Sequence, residues 1–262
     1  MVLEGFDASG KPKLRPAKRA ITLRHLADAH LGFTYSKLER SRSRNTKRSP
    51  AWSTLPRCKN GAFASPLEFD PGERWQYGIG MDVVGKIVEA VSDQSLEIYF
   101  GSTSSEPLGM ANTGFLISSA QKQRAATTYA RQADGSLKAL PFEMPQRPEF
   151  FSGGGGLFGT PRDYMAFLQM LLGDGTFNGA QILKPQTVAA MRTNQIGDLD
   201  VNPLKSSAPV WSNDANLFPA CNRSGVCPST SIRSPGPTAA APAAAPGRGF
   251  STATTGSTPS RK

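Results

Sequence analysis

Hydrophobic periodicity is confined to the middle of this 262-residue chain, and that confinement limits the fold more than any single motif. Residues 66–220 carry apolar positions at helical or strand spacing, whereas residues 37–65 and 221–262 show neither period. The first of these flanks is rich in Ser, Arg, Lys, Asn and Pro, and the second in Ser, Thr, Pro, Ala and Gly. Neither holds enough apolar area to offset the entropy of ordering a chain. The 37–65 segment is therefore expected to be a basic irregular loop, and 221–262 a low-complexity, disordered tail. The 26 Gly, the 21 Pro and a hydrophobic content of only 38% fit a chain that mixes packed and unpackable parts.

Within the patterned region three helices are expected. In "MDVVGKIVEAV" the residues Val83, Val84, Ile87, Val88 and Val91 share one helical face, with Lys86 and Glu89 opposite. In "TPRDYMAFLQMLLGDG" Thr160 reads as the N-cap, Pro161 as the first helical residue, Asp163 as a first-turn acid and Gly173 as the stop. "LKPQTVAAMRTNQ" is the third, with Pro185 near its start. Between the first two, "RAATTYARQADGSLKALPF" reads as strand, Asp-Gly turn and strand. Residues 1–36 add a short helix around Ile21 to Leu26, capped by Thr22.

Charge and cysteine usage exclude several classes. Fourteen of the 30 Lys and Arg lie between positions 11 and 60, against two acids there, while the rest of the chain is close to neutral. A local basic excess suits nucleic acid or an anionic surface. No DNA- or RNA-binding signature accompanies it, so a solvated basic segment is the expectation. Cys58, Cys221 and Cys227 form neither a disulfide framework nor a metal-ligand spacing. No run of eighteen apolar residues and no charged-then-apolar leader is present, so a soluble, cytoplasmic protein is expected.

Side-chain candidates for hydrolytic chemistry are few. His25 and His30 are the only histidines, and both lie in poorly patterned sequence, which makes a Ser-His-Asp triad hard to build. One Ser-x-x-Lys spacing exists, Ser119 to Lys122; on a helix it would place a hydroxyl and an amine on one face. So loose a spacing arises readily by chance. The glycine run at 153–156 lacks the lysine of a phosphate cradle and reads as a place of close backbone approach, to another element or to a substrate. Tyr77, between a Pro-Gly turn and the first amphipathic helix, is locally a core or staple aromatic.

Taken together, "PLEFDPGERWQYGIGMDVVGKIVEAVSDQSLEIYF", "EPLGMANTGF" and "FFSGGGGLFGTPRDYMAFLQMLLGDGTFNGAQILKPQTVAAM" resemble the serine hydrolases of the β-lactamase and penicillin-binding type, nearest the carboxylesterase branch of the class C-like enzymes. The resemblance implies an α+β, β-lactamase/transpeptidase-like fold, here mostly its helical region with an incomplete antiparallel sheet. It also implies hydrolysis of carboxylic esters, or less favourably β-lactams, through an acyl-enzyme. No metal or organic cofactor is implied, and the partner would be a small-molecule ester or amide rather than nucleic acid or membrane. Tyr77 falls on the family's proton-transferring tyrosine, with Ile79 in place of that motif's Asn, a change suited to esterases. Gly154 and Gly155 fall in a loop that borders the family's pocket and are the expected substrate-binding positions.

Two departures shape the functional expectation. The family's Ser-x-x-Lys would precede "ITLRHL", and its third motif would follow about position 219; neither is present as written. Ser119 lies outside the nucleophile position. Weak or absent turnover, or a non-catalytic remnant of the family, is therefore expected. An out-of-frame reading accounts for the breaks. Codons can be chosen for 246–260 so that a shifted frame gives "WAGLFNSYYWIDPK", for 27–32 to give "LTHTSG" and for 101–105 to give "REHIF", each resembling family sequence at its place.

Overall fold

The computed structural model describes residues 1–29, 31–33, 58–132, 134–141, 143–201, 203–205 and 213–216. Most of the basic segment, the whole 221–262 tail, His30, Cys221 and Cys227 lie outside these residues.

The chain opens with a hairpin of β1 (Val2–Phe6) and β2 (Pro12–Arg15), antiparallel, with Val2 opposite Arg15. Its turn is closed by Asp7 Oδ1, which accepts the Ser9 and Lys11 N–H groups at 2.9 Å, an Asx arrangement. The free side of β1 meets a later segment: Leu3 N donates to Leu67 O at 2.7 Å and Leu67 N to Met1 O at 2.9 Å. Helix α1 (Leu23–Ala27) has the expected cap. Thr22 Oγ1 accepts the His25 N–H while His25 Nδ1 accepts the Thr22 N–H, so two orphan donors are satisfied reciprocally.

A 3₁₀ turn follows at Asn60–Ala64. The end of the supposed irregular segment is thus ordered, because Glu149 bridges back to it. Its carboxylate accepts the Asn60 N–H at 2.8 Å and pairs with Lys59, and Phe63 packs on Phe150 with centroids 4.7 Å apart.

Helix α2 (Gly80–Ser92) is the element that organises the candidate site. Val83, Val84 and Ile87 pack on a core of Val2, Leu26, Leu31 and Leu67. Gly80 lies against the Leu26 carbonyl, where a Cβ would collide. Val91, expected on the buried face, is 83% exposed: it lies in line with Val84 but in the last turn, past the end of that core. The buried positions of α2 are instead Gly80, Asp82 and Gly85. α3 (Leu96–Phe100), capped by Ser95, sets fully buried Leu96 under Gly85 and runs directly into a π-helical turn, Gly101–Ser105.

The remainder is built on short elements. α4 (Ser119–Gln123) precedes the hairpin of β3 (Thr128–Arg131) and β4 (Leu137–Leu140), which pair antiparallel as expected. α5 (Pro161–Leu172) has the cap, first-turn proline and glycine stop read from its sequence. Its Met170 forms a second core with Leu108 and Met110. β5 (Thr176–Phe177) and β6 (Ala180–Gln181) form a small hairpin, with Asn178 and Gly179 both at positive φ, as a type I′ turn requires. α6 (Pro185–Met191) ends the described helices. Among the described residues every sheet has two strands, and no helix is long and apolar enough to cross a membrane.

Candidate active site

Tyr77 sits in an irregular stretch between the Pro71-Gly72 turn and α2. Both ends of that stretch are anchored. Upstream, buried Asp70 receives Arg15 through two bonds (Nη1 to Oδ1 at 3.0 Å, Nη2 to Oδ2 at 2.6 Å) and the Lys18 N–H at 2.8 Å. The Arg15 bonds and the Lys18 amide hold its carboxyl down to about 2. In the middle, Gln76 N donates to Ala29 O at 2.9 Å. Downstream, Ile79 is 4% exposed and offers no side-chain cap to the helix, so an apolar group stands where the resemblance expects an amide.

Although 41% of Tyr77 is exposed, loss of solvation leads the influences on its hydroxyl, and the Asp82 carboxylate adds to it. Both raise its pKa, so the phenol stays protonated at neutral pH. In that form it is a hydrogen-bond and proton donor.

Asp82 is the residue that sequence reading missed. It lies in the first turn of α2, is 1% exposed, and reaches across seventy positions of chain to the glycine loop. Its Oδ1 accepts from Ser152 Oγ at 2.6 Å and from the Gly154 N–H at 3.2 Å. Its Oδ2 has no hydrogen-bond partner among the described residues. Burial raises the Asp82 pKa, and the Ser152 and Gly154 bonds oppose that only in part. A readable signal did exist: Asp82 and Gly85 stand three apart on one helical face, a carboxylate beside a position without a side chain, which makes room for another backbone.

The glycine loop uses that room. A Cβ on Gly153 would lie 2.6 Å from the Met81 carbonyl oxygen and 3.3 Å from Gly85 Cα. The close approach expected of the run is thus made to α2, and Gly153 rather than Gly154 or Gly155 makes it. The expected binding positions fare differently. The Gly154 N–H is taken by Asp82 and the Gly155 N–H points to Ser152 O at 3.3 Å, so these two amides already serve the loop itself. Both residues are exposed, and a Cβ on Gly155 would meet nothing within 4 Å. They form an open rim. Beneath it, Gly156 rests on the Phe115 ring, which packs on Phe151 at 5.2 Å, and Glu97 holds the Phe115 N–H at 2.6 Å.

Other nucleophile candidates recede. Cys58 is 2% exposed; burial raises its thiol pKa, Asp82 adds to that, and the thiol stays protonated. Ser119 and Lys122 do lie on a helix, but both are exposed, and the Lys122 amine pairs with Glu143 at 2.6 Å. A desolvated lysine base is not formed there. Among the described residues no group of three His, Cys, Asp or Glu is placed to hold a metal ion.

Tyr77 thus precedes the helix against which the glycine loop packs. A family model described as Beta-lactamase covers residues 11–254. The chain belongs to the β-lactamase family. Protein Rv1367c of Mycobacterium tuberculosis is 35% identical to it over 210 residues, spanning 78% of this chain and 52% of that protein. Lovastatin esterase of Penicillium rubens is 31% identical over 202 residues, spanning 75% of this chain and 50% of the esterase. The solved structure of unliganded simvastatin synthase from Aspergillus terreus aligns with a TM-score of 0.60 at 33% identity, over 72% of this chain and 46% of that one. The fold is β-lactamase/transpeptidase-like, α+β, and the relatives of this β-lactamase-family chain include an ester-handling enzyme. The chain spans about half the length of the curated relatives it matches.

Proposed function

We propose that this chain is a serine-hydrolase-type member of its family that acts on carboxylic esters, with β-lactams second, through an acyl-enzyme. One observation carries the reading: Tyr77, which falls on the family motif, stands five residues before Asp82, whose carboxylate holds the glycine loop. The likeness to a lovastatin esterase supports an ester as the bond acted on. Buried Ile79 supports it further, since a β-lactam amide loses the polar partner that an Asn would offer. A protonated Tyr77 suits delivery of a proton to the departing alkoxide, a general-acid role. The partner is a small-molecule ester or amide, and nucleic acid has no part in the proposal.

The second reading is a non-catalytic remnant, favoured by the single Ser-x-x-Lys spacing lying on exposed α4 with its lysine engaged. Ethyl acetate and ethyl butyrate, whose alkoxide leaving group needs a proton, with a chromogenic cephalosporin as a parallel substrate, separate the two on the purified chain. Slow ester turnover that falls about tenfold or more in Tyr77→Phe supports the hydrolase, because a general acid contributes on the order of 10²–10⁴ in rate. Ester release at the uncatalysed rate supports the remnant. Turnover unchanged by Tyr77→Phe removes Tyr77 from the mechanism.

A further inference from the structure

We infer that Asp82 is the positioning residue of this site: its carboxylate fixes the glycine loop to the first turn of the helix that follows Tyr77, so that loop and helix turn move as one. The inference rests on the proposed hydrolase reading for its consequence in catalysis, and on geometry alone for the coupling.

Three observations carry it. The first is reach. Asp82 belongs to α2 and its two partners, Ser152 Oγ and Gly154 N, belong to the loop seventy residues later, so the bonds join elements rather than cap a helix. The Asp82 N–H itself is satisfied locally by Ile79 O at 3.0 Å. The second is that the seam has no slack. Gly153 and Gly85 face each other across it, with no side chain on either and backbone on both sides. A loop in such contact can shift only by breaking the Asp82 bonds or by leaving the helix. The third is that this carboxylate is not held by a countercharge. Among the described residues Asp70 has Arg15 and Lys18, whereas Asp82 has a hydroxyl and an amide on one oxygen and no hydrogen-bond partner on the other. A buried acid without a cation stabilises a fold poorly. Its contribution here is directional: it sets where the loop sits.

Ser152 divides the work. Its hydroxyl gives Asp82 the shorter bond, and its carbonyl accepts the Gly155 and Gly156 N–H groups at 3.3 and 2.9 Å, which closes the loop into a turn. Orientation therefore passes from α2 through Asp82 to Ser152 and on to the exposed rim at Gly154 and Gly155. Tyr77 lies five residues before Asp82 and two before Ile79, whose carbonyl accepts the first two helical bonds of α2.

Amide hydrogen exchange on the full chain tests the coupling without requiring turnover. In Asp82→Ala, exchange of a fragment covering the glycine loop rises about tenfold or more, the range expected when hydrogen bonds to a carboxylate are lost and a local opening becomes easier. A fragment covering the second half of α2 changes less than about threefold. Asp82→Asn, which keeps an acceptor oxygen at the same place, restores most of the loop's protection, and Ser152→Ala gives an intermediate rise. Loop exchange unchanged in Asp82→Ala overturns the inference. So does an equal rise in loop and helix in all three variants, which is general loosening. If Asp82→Ala fails to fold, the ratio of loop to helix exchange in Ser152→Ala decides alone, since that variant removes only the loop side of the bond. Where the wild-type chain turns over ethyl butyrate, Asp82→Ala lowers kcat more than it raises KM, and Asp82→Asn recovers most of kcat. An inactive wild-type chain with the exchange pattern intact counts against the hydrolase reading and leaves the positioning role standing. An active one with no loop effect does the reverse.

Discussion

Asp70 and Asp82 lie twelve residues apart on either side of Tyr77, both nearly solvent-free, and they are treated in opposite ways. Asp70 is bolted down by the Arg15 guanidinium and the Lys18 amide, and its carboxyl is held at about 2. Asp82 meets a hydroxyl and a glycine amide, and burial lifts its carboxyl above the ordinary value. The first arrangement is what a fold does to keep a turn in place. The second leaves a buried acid with a raised pKa near a tyrosine and an open loop, and perturbed pKa values of this kind gather at sites that do chemistry. On the proposed function, the first is an anchor of the fold and the second belongs to the site, within a single short stretch of chain.

The largest expected effect breaks the Asp82 arrangement outright. Gly153→Ala places a Cβ against backbone of α2, the Met81 carbonyl and Gly85 Cα, neither of which can give way. Overpacking of this kind costs about 1–3 kcal/mol, read as a lower urea midpoint with an unchanged slope. An equal midpoint for Gly153→Ala and wild type shows that the loop does not rest on the helix.

Next come opposite pH dependences. Asp70 titrates at about 2 when folded and near an ordinary carboxyl, about 3.9, when unfolded. The stability it contributes is present above about 4 and is lost as pH falls through 2. Asp70→Asn is therefore expected to flatten the acid limb of thermal stability. For Asp82 the folded value is raised, so its contribution is present below the unfolded value and is lost as pH rises through the folded one. Asp82→Asn accordingly gains in melting temperature relative to wild type as pH increases from about 4. Parallel curves for wild type and either variant contradict the assigned environment of that residue.

A smaller effect sharpens the link to Tyr77. Its phenol ionises above the ordinary tyrosine value, and Asp82 supplies part of that rise. In the ultraviolet phenolate band, the step lost in Tyr77→Phe should move to lower pH in Asp82→Asn. A step that stays in place shows that the carboxylate and the phenol do not sense each other. The smallest effect expected is at Val91→Ser, within about 0.5 kcal/mol of wild type, because that valine is 83% exposed.

These residues also mark how far the sequence could be read. The helix of Thr160, Pro161, Asp163 and Gly173 was fully legible, since every signal for its ends lies within its own few residues. The hairpin at Thr128–Arg131 and Leu137–Leu140 and the cap at Thr22 were legible for the same reason. Tyr77 is a candidate only through its flanking motif. The bonds of Asp82 to Ser152 and Gly154 were not, because they join positions seventy apart and periodicity speaks only of neighbours. Periodicity likewise placed Val91 on the buried face but could not tell where the opposing core ends. The 3₁₀ turn at Asn60–Ala64 was hidden because Glu149, far along the chain, orders it.

The most direct test of the contrast is a site-resolved titration of the aspartate carboxyl carbons by NMR, with Asp70→Asn and Asp82→Asn to assign the two signals. A midpoint near 2 is expected for Asp70 and one above the ordinary aspartate value for Asp82. An Asp82 signal that titrates at or below the ordinary value would contradict the contrast, since the carboxylate would then be paired or solvated rather than buried against the glycine loop.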